Sequence, residues 1–334
     1  MSSSTSFFSH ARPGKFTSKK VRGFLALPGE VRNQVYGYYF DCEIRCEIAA
    51  KGAQFKGHKT RTVKLWAGAF QTNSYKLKYA SKATEEDLIT IRISRPLGKY
   101  NVVQGLQTNW FASLFALNLI CKQIHAETLP FLYQMTIFVF NASNRILNFL
   151  NVVSRPKLEH ITKLQLHYTT YGIPALYNDR KWQDKHNESW IRACSAASRK
   201  LAGLCSLKIW IRVVHLPLRM NLRQPWILPI LQFRRLTQMS QKLDVLPSSN
   251  TPTQQQAKLQ TVNVDFRSSI SQAWFAGNHQ LAKASQDLHH LFGHAIELAI
   301  LGAKEEVAMA AFNAAWEGEY AMWQNHLGYG KTGW

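Results

Sequence analysis

The chain has 334 residues, 46% of them hydrophobic, with 10 Trp and 18 Phe. That is enough apolar side chain for one large domain or two smaller ones, and it excludes disorder as the main state. The formal net charge of +21, from 41 Lys and Arg against 20 Asp and Glu, favours acidic partners: nucleic acid, an anionic membrane or an acidic protein.

The charge is uneven. Residues 281–334 hold three Lys against six acids, so the basic surplus lies upstream. The apolar runs fall short of the ~20 residues a bilayer span needs; the longest, 110–121, is interrupted by Ser113 and Asn118. The five cysteines are odd in number and follow no secretory signal, which predicts free thiols in a reducing compartment, cytoplasm or nucleus.

Residues 1–22 are rich in Ser, Lys and Arg, and no acid precedes Glu30. A mitochondrial presequence has that bias, and so does a disordered basic tail; the tail is the reading taken. Residues 24–40 then announce a short helix. Pro28 suits its first turn, Glu30 suits the positive end of its dipole, and Val31, Val35 and Tyr38 or Tyr39 recur at helical spacing.

From 41 to 104 the period changes to two, and CEIRCEI, TVKLW, YKLKY and ITIRIS predict short strands of an antiparallel insert. Residues 51–100 hold eleven Lys and Arg against three acids, which opens a nucleic-acid reading through Lys64, Trp66, Lys76, Lys78 and Arg92. Alternation weighs against it. Tyr75, Leu77 and Tyr79 face away from Lys76 and Lys78, although Lys64 and Trp66 share a face.

Residues 117–140 form the framework of the chain. Leu114, Leu117, Cys121, Ile124 and Thr128 predict an amphipathic helix, Pro130 is expected to interrupt it, and 136–140 predicts a strand with Phe138 and Phe140 on one side. Downstream, a helix over 145–153, a strand over 161–168, a helix over 190–204 and strands over 207–214 and 259–266 predict β–α crossovers and a mainly parallel sheet. The strand centres Leu164, Ile209 and Val264 are too irregularly and widely spaced for a true solenoid of 20–29-residue repeats. The C-terminal part is helical, with Leu288, Leu291, Ala295 and Leu298 on one face and an aromatic stripe of Val307, Phe312, Trp316, Tyr320 and Trp323 on the next helix.

Residue patterns that carry chemistry are few. His290, His294 and Glu297 lie on one helical face at a spacing that suits a metal, but without the HExxH order. Cys42 and Cys46 share a strand face with no second pair nearby, so two half-buried thiols are expected. The GYGKT near the C-terminus has Asn325 where a phosphate loop needs its first glycine. No nucleophile elbow, dinucleotide fingerprint or carboxylate pair is present, so no enzyme activity, cofactor or metal is expected.

Two motifs carry a resemblance. Leu27-Pro28-x-Glu30-Val31-Arg32-Asn33-Gln34-Val35-Tyr36 is similar to LPxEIRNxIY. Cys121-Lys122-Gln123-Ile124-x-x-Glu127-x-x-Pro130-x-Leu132-Tyr133, closing on Phe138 and Phe140, is similar to CRQIxxEAxPxLY…FxF. Together, over about 40 residues, they resemble a large fungal family of F-box-like proteins. The resemblance implies a non-catalytic interaction protein. Leu27, Pro28, Val31, Val35 and Tyr36 would be contacts for a Skp-family adaptor of a cullin ubiquitin ligase, or F-box core positions. The C-terminal part would bind a protein substrate. Here the unit is split by the basic insert.

The expected architecture is therefore mixed α/β. A basic tail (1–22) precedes F-box-like helices (23–135) carrying an antiparallel strand insert (41–104). An irregular β–α open sheet, a leucine-rich-repeat-like arc, follows with C-terminal helices (136–334). The expected partners are a Skp-family adaptor and an unknown protein substrate, with nucleic acid as the alternative and no membrane.

Overall fold

A computed structural model describes residues 23–41, 43–49, 55, 62–66, 90–97, 100–104, 117–172, 177–214, 218–237, 259–268, 275 and 277–331. A 3-10 turn at Phe24–Ala26 leads into α1 (Gly29–Tyr39). Strands β1 (Ile44–Ile48), β2 (Thr62–Trp66), β3 (Thr90–Leu97) and β4 (Tyr100–Gln104) follow. Helix α2 (Lys122–Met135) feeds β5 (Thr136–Phe140) directly. Next come α3 (Ser143–Val152), α4 (Arg155–Glu159), β6 (Lys163–Thr169), α5 (Tyr177–Lys200), β7 (Ser206–Val213), β8 (Leu218–Arg219), α6 (Leu228–Leu231) and β9 (Thr261–Ser268). Helices α7 (His279–Ile300) and α8 (Glu305–Glu317) and the short β10 (Tyr329–Gly330), paired with β8, close the described chain.

The fold is mixed α/β around one mostly parallel sheet of order β3-β4-β2-β1-β5-β6-β7-β9. From β1 onward the strands are laid down in sequence order, each parallel to the last, with Cys46, Phe138, Leu164, Leu207 and Val262 in one register row. Alternate side chains face opposite ways. Phe138, Phe140, Leu164, Leu166, Tyr168, Leu207, Ile209, Ile211, Val264 and Phe266 join the large core with Phe149, Trp190, Ala197, Leu288, Phe292 and Phe312 from the helices. Among the described residues the opposite face holds a small cluster of Ala49, Phe55, Ile137 and Val139.

The expected antiparallel insert needs correction. Strand β1 is parallel to both β2 and β5, and sits inside the sheet rather than apart from it. Among the described strands only β4 runs antiparallel, to β2 and to β3. Alternating side chains do not encode strand direction, and the segment between Ile48 and Thr62 is long enough for a crossover, which needs about a dozen residues. The strands of 41–104 and those after 136 thus share one sheet. The strand expected at YKLKY lies outside the described residues.

The framework stretch also differs from expectation. Helix α2 begins after Cys121, whose Sγ accepts from the Ile124 N–H at 3.5 Å, and 117–119 is a separate 3-10 turn. Pro130 does not end the helix, which runs on to Met135. A proline inside a helix costs about 3 kcal/mol. Packing holds the turn that follows it: Phe131 meets the rings of Tyr36 and Phe40, and Tyr133 meets Phe138.

Candidate functional site

Two surfaces stand out, one on α1 and one on the sheet. Helix α1 reaches the rest of the molecule through Tyr36 and Phe40, both 0% exposed and packed with Ile124, Phe24 and Phe131. Beside this contact lies a clasp between the two sequence motifs. Arg32 donates to both carboxylate oxygens of Glu127, Nε to Oε2 at 2.9 Å and Nη2 to Oε1 at 2.7 Å. The Tyr36 hydroxyl donates to the same carboxylate at 2.7 Å, and Gln123 at 3.0 Å. These donors, Arg32 first, hold the Glu127 carboxyl down to about 2. Burial, with Glu127 adding to it, pushes the Tyr36 phenol up to about 12, so it stays a donor at any physiological pH. The guanidinium also reaches back to the Leu27 carbonyl at 2.5 Å, which fixes how the chain enters α1.

With Tyr36, Phe40 and Arg32 turned inward, the other apolar side chains of this segment face out. Val31 is 40% and Val35 42% exposed, Tyr38 is 83% exposed, and Leu25 and Leu27 extend the patch. A soluble surface rarely gathers large apolar side chains without a partner to cover them. Of the residues singled out for adaptor contact, Leu27, Pro28, Val31 and Val35 are exposed and Tyr36 is core. The pattern Val31, Val35, Tyr38 reads as the buried stripe of an amphipathic helix; the tertiary contact uses the neighbouring stripe.

The sheet face opposite the helices divides in two. Over β1, β5 and the start of β6 it is covered. Arg45 and Glu47 are each 2% exposed and paired, Arg45 Nε donating to Glu47 Oε1 at 2.7 Å. Arg45 also donates to Gln165 Oε1 at 3.0 Å and lies 5.8 Å from the centre of the Phe55 ring. A buried pair tolerates its lost hydration only when its remaining hydrogen-bonding capacity is met, and Gln165 meets part of it. Gln165 in turn contacts His167 Nε2 at 2.8 Å, and the His167 ring packs against Phe55 and Trp210. Burial first, and Arg45 second, lower the imidazole to about 4, so it is neutral at pH 7.

Beyond His167 the face opens. Lys208, Arg212, Asn263 and Arg267 are exposed and Trp210 is half-buried. Arg267 is held by Asp265 through two bonds of 2.9 Å, and Lys163 by Glu43 at 3.2 Å. The outer strand β9 is not open to a further strand at its middle. The Val264 N–H donates to Glu297 of α7 at 2.7 Å, and α7 lies so close that a Cβ on Gly293 would stand 2.8 Å from the Val264 carbonyl oxygen. Glu297 is thereby engaged in fold closure, while His290 and His294 point to solvent; among the described residues no cluster suits a metal ion.

Of the nucleic-acid candidates, Lys64, Trp66 and Arg92 fall on described strands. Lys64 leans towards Glu47 at 4.0 Å. Trp66 and Arg92 both align with Val102 in the register of β2, β4 and β3. Lys76 and Lys78 lie outside the described residues. Cys46 is buried in the core, which pushes its thiol up to about 12, and Cys42 lies outside the described residues. Among the described residues no helix is long and apolar enough to cross a membrane.

Residue-level reading of the sequence passed over Arg32 and Glu127 as partners, although both are fixed letters of the motifs. It also passed over Lys208, Trp210 and Arg212, which alternation in LKIWIRVV places opposite Leu207, Ile209 and Ile211. No curated protein and no solved structure matches the chain. A family model does, over residues 18–268, from just before α1 to the last residue of β9: the chain belongs to the family of the domain of unknown function DUF7730.

Proposed function

We propose that this is a non-catalytic interaction protein, an F-box-like adaptor acting in the cytoplasm or nucleus. In this reading α1 presents Leu27, Pro28, Val31 and Val35 to a Skp-family adaptor of a cullin ubiquitin ligase. Tyr36 anchors the helix from behind. The sequential parallel strands β1-β5-β6-β7-β9 act as a leucine-rich-repeat-like arc that carries the substrate-facing surface. The observation that supports this most is the split of α1: Tyr36 and Phe40 are fully buried against α2 while Val31 and Val35 remain 40% and 42% exposed. A helix serving only the internal fold would bury its valines before its tyrosine hydroxyl.

The test is co-purification of the full chain with a Skp-family protein, compared with Val31→Asp and Val35→Asp. Both positions are on the surface, so the variants should melt within about 0.5 kcal/mol of the parent. Loss of the complex with folding intact is the expected result. Absence of a complex with the parent chain, or a complex indifferent to both substitutions, would refute the reading. The nucleic-acid alternative has its own measurement: retardation of oligonucleotides at low salt, with a steep salt dependence that Lys76→Glu and Lys78→Glu reduce.

A further inference from the structure

We infer that the open half of the sheet face binds an extended acidic segment of a partner protein along β7, with acidic side chains at positions i and i+4 and an apolar side chain at i+2. Three observations carry this. First, Lys208, Trp210 and Arg212 project from the same face of β7, since the intervening Ile209 and Ile211 belong to the core. At ~3.3 Å per residue the two cations stand about 13 Å apart, the span of four residues in an extended peptide laid over them, with Trp210 midway.

Second, these two cations are free to accept a ligand. Lys208 and Arg212 are exposed and have no acidic partner among the described residues, whereas Arg45, Lys163 and Arg267 are already matched to Glu47, Glu43 and Asp265. Third, the platform is rigid. Strands β6, β7 and β9 stay in register along their length, and His167, fixed by Gln165 and Phe55, packs its ring 4.5 Å from that of Trp210. A side chain held in this way loses little entropy when a ligand covers it.

Charge complementarity selects the occupant. The chain carries a net charge of +21, and the open surface holds two of its cations, without an acidic partner among the described residues, around an aromatic ring. Yet Asp265 stands beside Trp210 in the register, and a continuous phosphate backbone running over it would meet that carboxylate. A peptide with two spaced carboxylates satisfies Lys208 and Arg212 and sets its apolar residue, not a charge, beside Asp265, which Arg267 already holds. Since α7 occupies the edge of β9 at Val264, the contact is made through side chains on the face and not by adding a strand.

The test uses the full chain and the fluorescence anisotropy of a labelled peptide. Its sequence has two glutamates four positions apart, a phenylalanine midway and serine elsewhere. No Skp-family protein is present, so the outcome is independent of the adaptor reading. Saturable binding is expected, weakened at least about tenfold in the double variant Lys208→Glu and Arg212→Glu. A peptide with lysines in place of its glutamates should then bind that variant and not the parent. Trp210→Ala should weaken the parent peptide but not a version lacking the phenylalanine. Both reversed positions are exposed, and unchanged thermal melting verifies that the variants fold. Absence of saturable binding, binding indifferent to the reversal, or a single-stranded oligonucleotide that outcompetes the peptide at these residues would overturn the proposal; the last outcome would make nucleic acid the occupant.

Discussion

Tyr36 offers the sharpest test of how α1 is held, because its ring and its hydroxyl do different work. The ring is 0% exposed and lies 5.7 Å from Phe24 and 5.9 Å from Phe131, centre to centre. Tyr36→Ala removes it and leaves a cavity between two aromatic side chains, a loss of about 3–5 kcal/mol. Tyr36→Phe keeps the ring and deletes only the 2.7 Å hydrogen bond to Glu127, which retains Arg32 and Gln123, so its cost is the smaller part. Urea denaturation measures the global effect, and hydrogen exchange of the α1 amides measures local opening.

The hydroxyl part also has a pH signature. The Glu127 carboxyl is held at about 2, below its ordinary 4.5, so the folded chain binds fewer protons there than the unfolded chain. The stability this provides is complete above about pH 4.5 and is lost as the pH falls towards 2. The difference between parent and Tyr36→Phe should shrink over that window, while the deficit of Tyr36→Ala should largely persist. Equal costs for the two variants, or a Tyr36→Phe deficit that does not change with pH, would refute the division of labour. For the proposed adaptor docking, the variant also separates presentation from contact: Tyr36→Ala should weaken capture by loosening α1, whereas Val31→Asp should abolish it without loosening anything.

Three further outcomes follow from other parts of the fold. Gly293→Ala should cost about 1–3 kcal/mol, because its Cβ would meet the Val264 carbonyl oxygen at 2.8 Å and drive α7 off β9; faster exchange of the Val264 amide would report the loss of its bond to Glu297, and an unchanged rate would count against the clamp. His167 sits at about 4 against an ordinary 6.5, so the stability it contributes is complete above about pH 6.5 and is lost as pH falls to about 4. His167→Asn should therefore flatten the pH dependence of the urea midpoint between 7 and 4, and parallel curves would reject that. Cys46 and Cys194 are buried with their thiols pushed up, so a disulfide-exchange reagent should spare both in the native chain and label all five cysteines in denaturant.

Much of the architecture is legible in the chain because hydrophobic period is a local property. Phe138 and Phe140 at period two, and ITKLQLHY, LKIWIRVV and LQTVNVDF after them, specify strands whose apolar faces the structure buries in one core. The alternation of these strands with helices identifies a mainly parallel sheet. The first helix is equally plain from Pro28 and Glu30.

Other features depend on what each element meets. Strand direction in 41–104 is invisible to alternation, and β1 became an interior parallel strand because β2 and β5 were both available to it. Pro130 breaks a helix in isolation and is carried inside α2 because Phe131 and Tyr133 anchor the turn after it. Glu297 has metal-like spacing along its helix, but it accepts a hydrogen bond from the Val264 amide of β9 at 2.7 Å.

By itself, then, the sequence determined the first helix, the alternating strands and helices after 136, the parallel sense of that part of the sheet and the basic net charge, all of which follow from spacing and charge along the chain. The tertiary structure alone decided which face of α1 is buried. Val31, Val35 and Tyr38 form as good a stripe as Arg32, Tyr36 and Phe40, and only the arrival of Glu127 and Phe131 from 91 or more residues away chooses between them. It also decided that Lys208 and Arg212 find no acidic partner among the described residues while the neighbouring cations do, since pairing depends on side chains brought together across strands and not on their order in the chain.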